Sequence, residues 1–124
     1  MSQRIATEKA PAAIGPYSQG MVGGALLFTS GQIPVDPSTK AVSDDVADQA
    51  RQSLENVKAV VEAGGSSMNR VVKTTVFLAD MGDFAAVNQV YSTFFAEPFP
   101  ARSCVQVAAL PLGVKVEIEA IAVL

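Results

Sequence analysis

Arg102 and Glu117 are the two side chains of this 124-residue chain best suited to act together on a small charged molecule. A guanidinium is planar and can grip a carboxylate through two parallel hydrogen bonds. A carboxylate can hold a water, orient it or take a proton from it. Both residues stand in alternating stretches. Arg102, Cys104 and Gln106 share one parity and Ser103, Val105 and Val107 the other. After a Leu110-Pro111-Leu112-Gly113 break, Val116, Ile118 and Ala120 alternate with Lys115, Glu117 and Glu119. Period-two alternation marks half-buried strands, and the break reads as the turn between them. A roughly symmetric antiparallel hairpin sets Arg102 opposite Glu117 on one sheet face, with Cβ atoms about 4.5–5.5 Å apart. Two readings follow: a cross-strand ion pair worth roughly 0.2–1 kcal/mol, or two groups lining one pocket.

What else can do chemistry is limited by composition. Histidine is absent, which removes the commonest general base and the commonest metal ligand together. The single Cys104 cannot form an intrachain disulfide, and one thiol does not make a zinc site. Its side chain reads as a small buried hydrophobe rather than a nucleophile. Any catalysis must rest on carboxylates, Arg, Lys, Tyr, Ser, Asn, backbone groups and water. Among these, Tyr17 reads as a core residue whose hydroxyl needs a partner. The Ser30-Gly31 step is either an ordinary strand end or a place where a ligand approaches the backbone. Lys58 either snorkels over apolar surface or reaches an anionic ligand. Asn88, next to an apolar stripe, needs hydrogen bonds from backbone or ligand.

The elements that position these residues can be read in order. Pro11 and Gly15-Pro16 mark a first loop. Strands are expected over Tyr17 to Val22 and Ala25 to Ser30, joined at Gly23-Gly24. Ser43 reads as an N-cap, and Val46, Ala50, Leu54, Val57 and Val61 form the stripe of a helix that Gly64-Gly65 stops. The β-branched run from Val71 to Ala79 is a strand. Asp80 caps a second helix whose stripe is Phe84, Val87, Tyr91, Phe94 and Phe95, and Pro98 and Pro100 lead into the Arg102 strand. The order β-β-α-β-α-β-β predicts an α+β fold: one mixed sheet with both helices on one face, in a single domain over residues 1–124. A small additional strand near the N-terminus is compatible with this.

Net charge −3 and a pI near 4.8 argue against a nucleic-acid partner, and the scattered basic residues form no polybasic membrane patch. The N-terminus lacks a signal-peptide core, and glycines and prolines interrupt the uncharged run from Ala10 to Val35, so a soluble, cytoplasmic protein is expected. Hydrophobic residues make up 49% of the chain. A domain this small cannot bury all of that, so the apolar excess implies a homo-oligomer.

The motifs are more specific than the composition. P-A-R-S-C-V-Q-V from Pro100 followed by V-E-I-E from Val116 resembles the signature of the Rid family, the imine/enamine deaminases also called YjgF-type proteins. A-P-A-A-I-G-P-Y-S-Q-G from Ala10, F-T-S-G-Q-I-P from Phe28, S-L-E-N-V-K from Ser53 and D-F-A-A-V-N-Q-V-Y from Asp83 are similar to its other motifs, in the right order. The resemblance implies a YjgF-like (chorismate-mutase-like) fold and a homotrimer with sites between subunits. It also implies hydrolysis of 2-iminobutanoate and 2-iminopropanoate to 2-oxo acids and ammonia, without a cofactor. Arg102 and Glu117 are then the catalytic pair, clamp and water-positioning acid. Tyr17, Ser30, Gly31, Asn88, Ser103 and Cys104 match pocket positions, Cys104 through its main chain, and Lys58 acts from a neighbouring copy. The alternative is a non-catalytic trimer that binds or senses small carboxylates. RNA cleavage, attached to some relatives, fits the acidic balance and the missing histidine poorly.

Overall fold

Helical spacing of apolar residues folds Val46–Ala63 into α1, and Phe84–Tyr91 forms the shorter α2 in the computed structural model, which describes residues 2–124. Six strands accompany them: β1 (Ser2–Ile5), β2 (Gly20–Gly23), β3 (Leu26–Thr29), β4 (Val71–Leu78), β5 (Ala101–Gln106) and β6 (Val116–Val123). They form one sheet in the order β1-β2-β3-β6-β4-β5. Every neighbouring pair is antiparallel except β4 and β5, which run parallel. The mixed sheet with two helices on one face is as expected, and the additional N-terminal strand is β1.

Each element is built by recognisable local chemistry. Alternation in β4 and β6 sends Thr74, Val76 and Leu78, with Val116, Ile118, Ala120 and Ala122, toward the helices, where all are buried. Leu54, Val57, Val60 and Val61 of α1 meet them with no exposed surface. Burying one such side chain contributes about 1.5–3 kcal/mol, so this layer is the main source of stability. The β2–β3 hairpin turns at Gly24, whose φ of 60° is easy only for glycine. Strand β2 starts at Gly20 rather than Tyr17. The buried Gln19 is drawn out of the extended run to bond Thr7, Ala10 and Pro11, which pins the N-terminal loop. The N-cap of α1 is Asp45, which accepts from Asp48 N at 3.0 Å. Ser43 acts one step earlier, accepting from Asp45 N at 3.1 Å. Asp80 caps a short 3₁₀ turn, Met81–Asp83, that leads into α2.

The sheet topology corrects one expectation outright. Strands β5 and β6 are not a hairpin: β4 lies between them. Arg102 pairs in register with Thr74 and, through it, with Ala120. Glu117 pairs with Phe77 and, through it, with Val105. Arg102 and Glu117 therefore point to opposite faces of the sheet. The physical reason lies in the connection. It carries a 3₁₀ turn at Pro111–Gly113 and wraps the end of β4, with Val107 N bonded to Leu78 O at 2.9 Å and Ala79 N to Lys115 O at 3.0 Å. That path is longer than the two to five residues of a hairpin loop.

The face turned away from the helices is uncovered among the described residues. Met21, Leu26, Phe28, Val105 and Val123 stand on it between 37% and 43% exposed. Part of the apolar excess that composition pointed to thus lies on this surface.

Candidate active site

Arg102 is seated on α2. Phe84, Asn88 and Tyr91 fall at i, i+4 and i+7 and so present one helix face. Arg102 Nη1 donates to Asn88 Oδ1 at 2.7 Å, and the guanidinium carbon lies 4.8 Å from the centre of the Tyr91 ring and 5.4 Å from that of Phe84. Aromatic faces attract a cation at this range. The Arg102 guanidinium makes no other hydrogen bond among the described residues and the residue is exposed, so most of its fork is free for an anion. Cys104 follows on the same side of β5, partly buried against the core. Burial pushes its thiol upward, an effect the Arg102 charge only partly offsets. A thiol held protonated is a poor nucleophile.

Glu117 is built differently. The segment after β3 runs beside β6: Gln32 N donates to Ile118 O at 2.7 Å and Ile118 N to Gln32 O at 3.1 Å. A Cβ on Gly31 would collide with the Glu117 carboxylate, so the glycine makes the room in which that group lies. Burial there raises the Glu117 carboxyl above its ordinary 4.5, and the like charge of Glu119 raises it further. Ser30 stands next to it, its Oγ donating to Ser18 O at 2.6 Å and its N–H to Gln19 O at 2.9 Å. Those bonds hold the Tyr17 segment alongside. Tyr17 itself is about half exposed, on a surface groove shared with Arg4, Gly15 and Gln19, and is not a core residue.

The expected site residues thus form two clusters in one chain. Arg102, Asn88 and Cys104 gather on the helix side at the β5 edge of the sheet. Gly31 lies against Glu117 near the start of β6, with Ser30 before it in the chain tied to the Ser18–Gln19 segment, while the Tyr17 side chain lines the groove beside β1. Ser103 belongs to the opposite face from Arg102 and accepts from Lys73 Nζ at 2.8 Å. Lys58 belongs to neither cluster. It lines a groove of about 370 Å³ between the helices with Arg51, Glu55, Met68, Thr93 and Phe94. Sequence reasoning assigned Phe84 and Tyr91 only to a buried stripe and missed them as the seat of the guanidinium. Their i, i+7 spacing around Asn88 was the available signal.

Residues 7–124 match the family model described as Endoribonuclease L-PSP. The chain belongs to that family, the YjgF/Rid proteins. A Rid-family relative, the 2-iminobutanoate/2-iminopropanoate deaminase of Salmonella typhimurium, is 65% identical over 126 residues, covering 99% of this chain and 98% of the relative. Solved Rid-fold structures agree in architecture. The YjgF gene product of E. coli superposes with a TM-score of 0.94 at 60% identity, over 98% of each chain. E. coli TdcF with bound serine gives 0.94 at 55% identity, again over 98% of each chain.

Proposed function

We propose that this protein hydrolyses short-lived 2-imino acids, 2-iminobutanoate and 2-iminopropanoate, to the 2-oxo acids and ammonia. The observation that carries the reading is the near-full-length identity to a deaminase of that name, in a chain that offers, at Arg102, a guanidinium fork seated on α2 and mostly free and, at Glu117, a carboxylate of raised basicity. Arg102 clamps the substrate carboxylate, with Asn88 setting one edge of the fork and the Cys104 backbone available beside it. Glu117 orients the water. As that water adds to the C=N carbon of the iminium, Glu117 takes its proton, giving a neutral carbinolamine. Returning the proton to the amine nitrogen lets the C–N bond break as the carbinol hydroxyl gives its own proton to Glu117 and closes to C=O. Glu117 passes that proton to the departing ammonia, so iminium and water become 2-oxo acid and ammonium. A protonated imine is already electrophilic. Orientation alone can supply several kcal/mol of such a barrier.

Arg102 and Glu117 stand on opposite sides of the sheet, so one copy cannot present both to one substrate. We infer that the site is completed between copies, in a homotrimer, with the exposed apolar face as the contact surface. Tyr17, Ser30 and Gly31 then join Glu117 across the interface from Arg102. Lys58 takes part only by approach from a neighbouring copy, and Ser103 borders the site through its main chain.

The deciding assay follows ammonia release from threonine with a threonine dehydratase, with and without this protein. The deaminase reading expects faster release. Serine bound in a relative's structure favours a second reading, a carboxylate-binding sensor. That reading expects binding of 2-oxobutanoate with no acceleration.

A further inference from the structure

Arg102 is the carboxylate clamp of the proposed site, and its usefulness depends on the plane in which its fork is held. A free arginine side chain samples many rotamers, and side-chain entropy opposes fixing it. Here something fixes it. Tyr91 is 5% exposed. Its hydroxyl shares a 2.7 Å hydrogen bond with Thr74 Oγ1, itself fully buried on β4. Its ring packs against Phe95 with centroids 4.7 Å apart. The ring is thus held at its hydroxyl and its side, and the guanidinium lies over it. Thr74 is also the register partner of Arg102 in the β4–β5 pair. One strand pairing therefore sets both the backbone of Arg102 and the anchor of the ring beneath its side chain.

We propose that Tyr91, anchored by Thr74, is a positioning residue for the reaction: it holds the plane of the Arg102 guanidinium so that the free edge meets the substrate carboxylate. The inference rests on the reading of Arg102 as that clamp. The carboxylate is spectator to the bond changes and is gripped alike before and during them. Loss of the platform then appears in KM and leaves kcat in place.

The experiment measures kcat and KM in the coupled dehydratase assay, together with melting temperature, for Tyr91→Leu, Tyr91→Phe and Thr74→Val. Tyr91→Leu should raise KM about tenfold, the size of a cation–π contact of about 1.4 kcal/mol, with kcat within about twofold. Tyr91→Phe, which keeps the ring, should recover most of that loss. Tyr91→Phe and Thr74→Val should each raise KM slightly, and the double variant no further, because both remove the same hydrogen bond. A merely structural role would lower the melting temperature and the active fraction, hence kcat, and leave KM unchanged; that result in Tyr91→Leu overturns the proposal. If Tyr91→Leu does not fold, the other two variants decide, and wild-type KM in both overturns it. Arg102→Ala serves as the control. Full activity there sinks the clamp itself, whereas an inactive Arg102→Ala beside Tyr91 variants of unchanged KM sinks only the platform.

Discussion

At the scale of residues, two environments divide the labour. Arg102 is exposed and mostly unpaired, so removing it should spare the fold: Arg102→Ala is expected to keep its circular-dichroism spectrum and melting temperature while losing at least about a hundredfold in kcat/KM. Paired charge-assisted bonds of this kind contribute about 1.5–3 kcal/mol each. Glu117→Gln should instead lose kcat with a smaller change in KM, and unchanged turnover would reduce Glu117 to a structural role. The raised Glu117 carboxyl adds a pH signature. In the proposed mechanism its ionised form is the base, so kcat/KM should fall as pH drops through the raised value, and the acid limb should lie above pH 4.5. Glu119→Gln removes the neighbouring charge that contributes to the shift. The limb should then move toward lower pH, as read from a pH–rate profile. These side-chain types were legible in the sequence, since a cationic fork and a carboxylate in a chain without histidine leave few choices. The seat of the fork was not. An aromatic at helical spacing has the same pattern whether it fills a core or carries a cation: Tyr91 does both, while Phe84 lies at the surface beside the cation.

At the scale of elements, period and partner are separate questions. The 3.6-residue stripe gave α1 nearly to its ends, because Asp45 and Gly64 supply the caps that such a stripe requires. Asp45→Ala should cost about 1 kcal/mol, visible as a lower denaturant midpoint with the slope unchanged. Alternation gave β5 and β6 as strands but not what each lies beside, since any neighbour satisfies a period of two. The strand–helix–strand order of β4, α2 and β5 carried the missing information. Parallel strands need a long crossover of that kind, and here it delivers β5 to the outer edge of β4. Reading the Pro/Gly break as a tight turn instead put Arg102 and Glu117 on one face. The actual register divides them.

At the scale of the molecule, the proposed assembly would account for both that division and the open apolar face. Five large apolar side chains left more than a third exposed on one surface are more than a solitary small domain is expected to tolerate. Phe28→Asp places a charge at the middle of that surface, on a residue remote from the core. The expected outcome is a folded monomer by sedimentation or light scattering, with deaminase activity lost together with the assembly. A monomer of full activity would show that one copy suffices. A further consequence comes from β6, which lies inside the sheet although it is the last strand in sequence. The ribbon β1–β2–β3 and the pair β4–β5 share no strand contact of their own. β6 is the keystone between them, so neither half is a finished platform until that segment threads into place. Folding should therefore be governed by one late, long-range docking event, and conservative changes at Ile118 or Ala120 should slow refolding more than equally destabilising changes in α1.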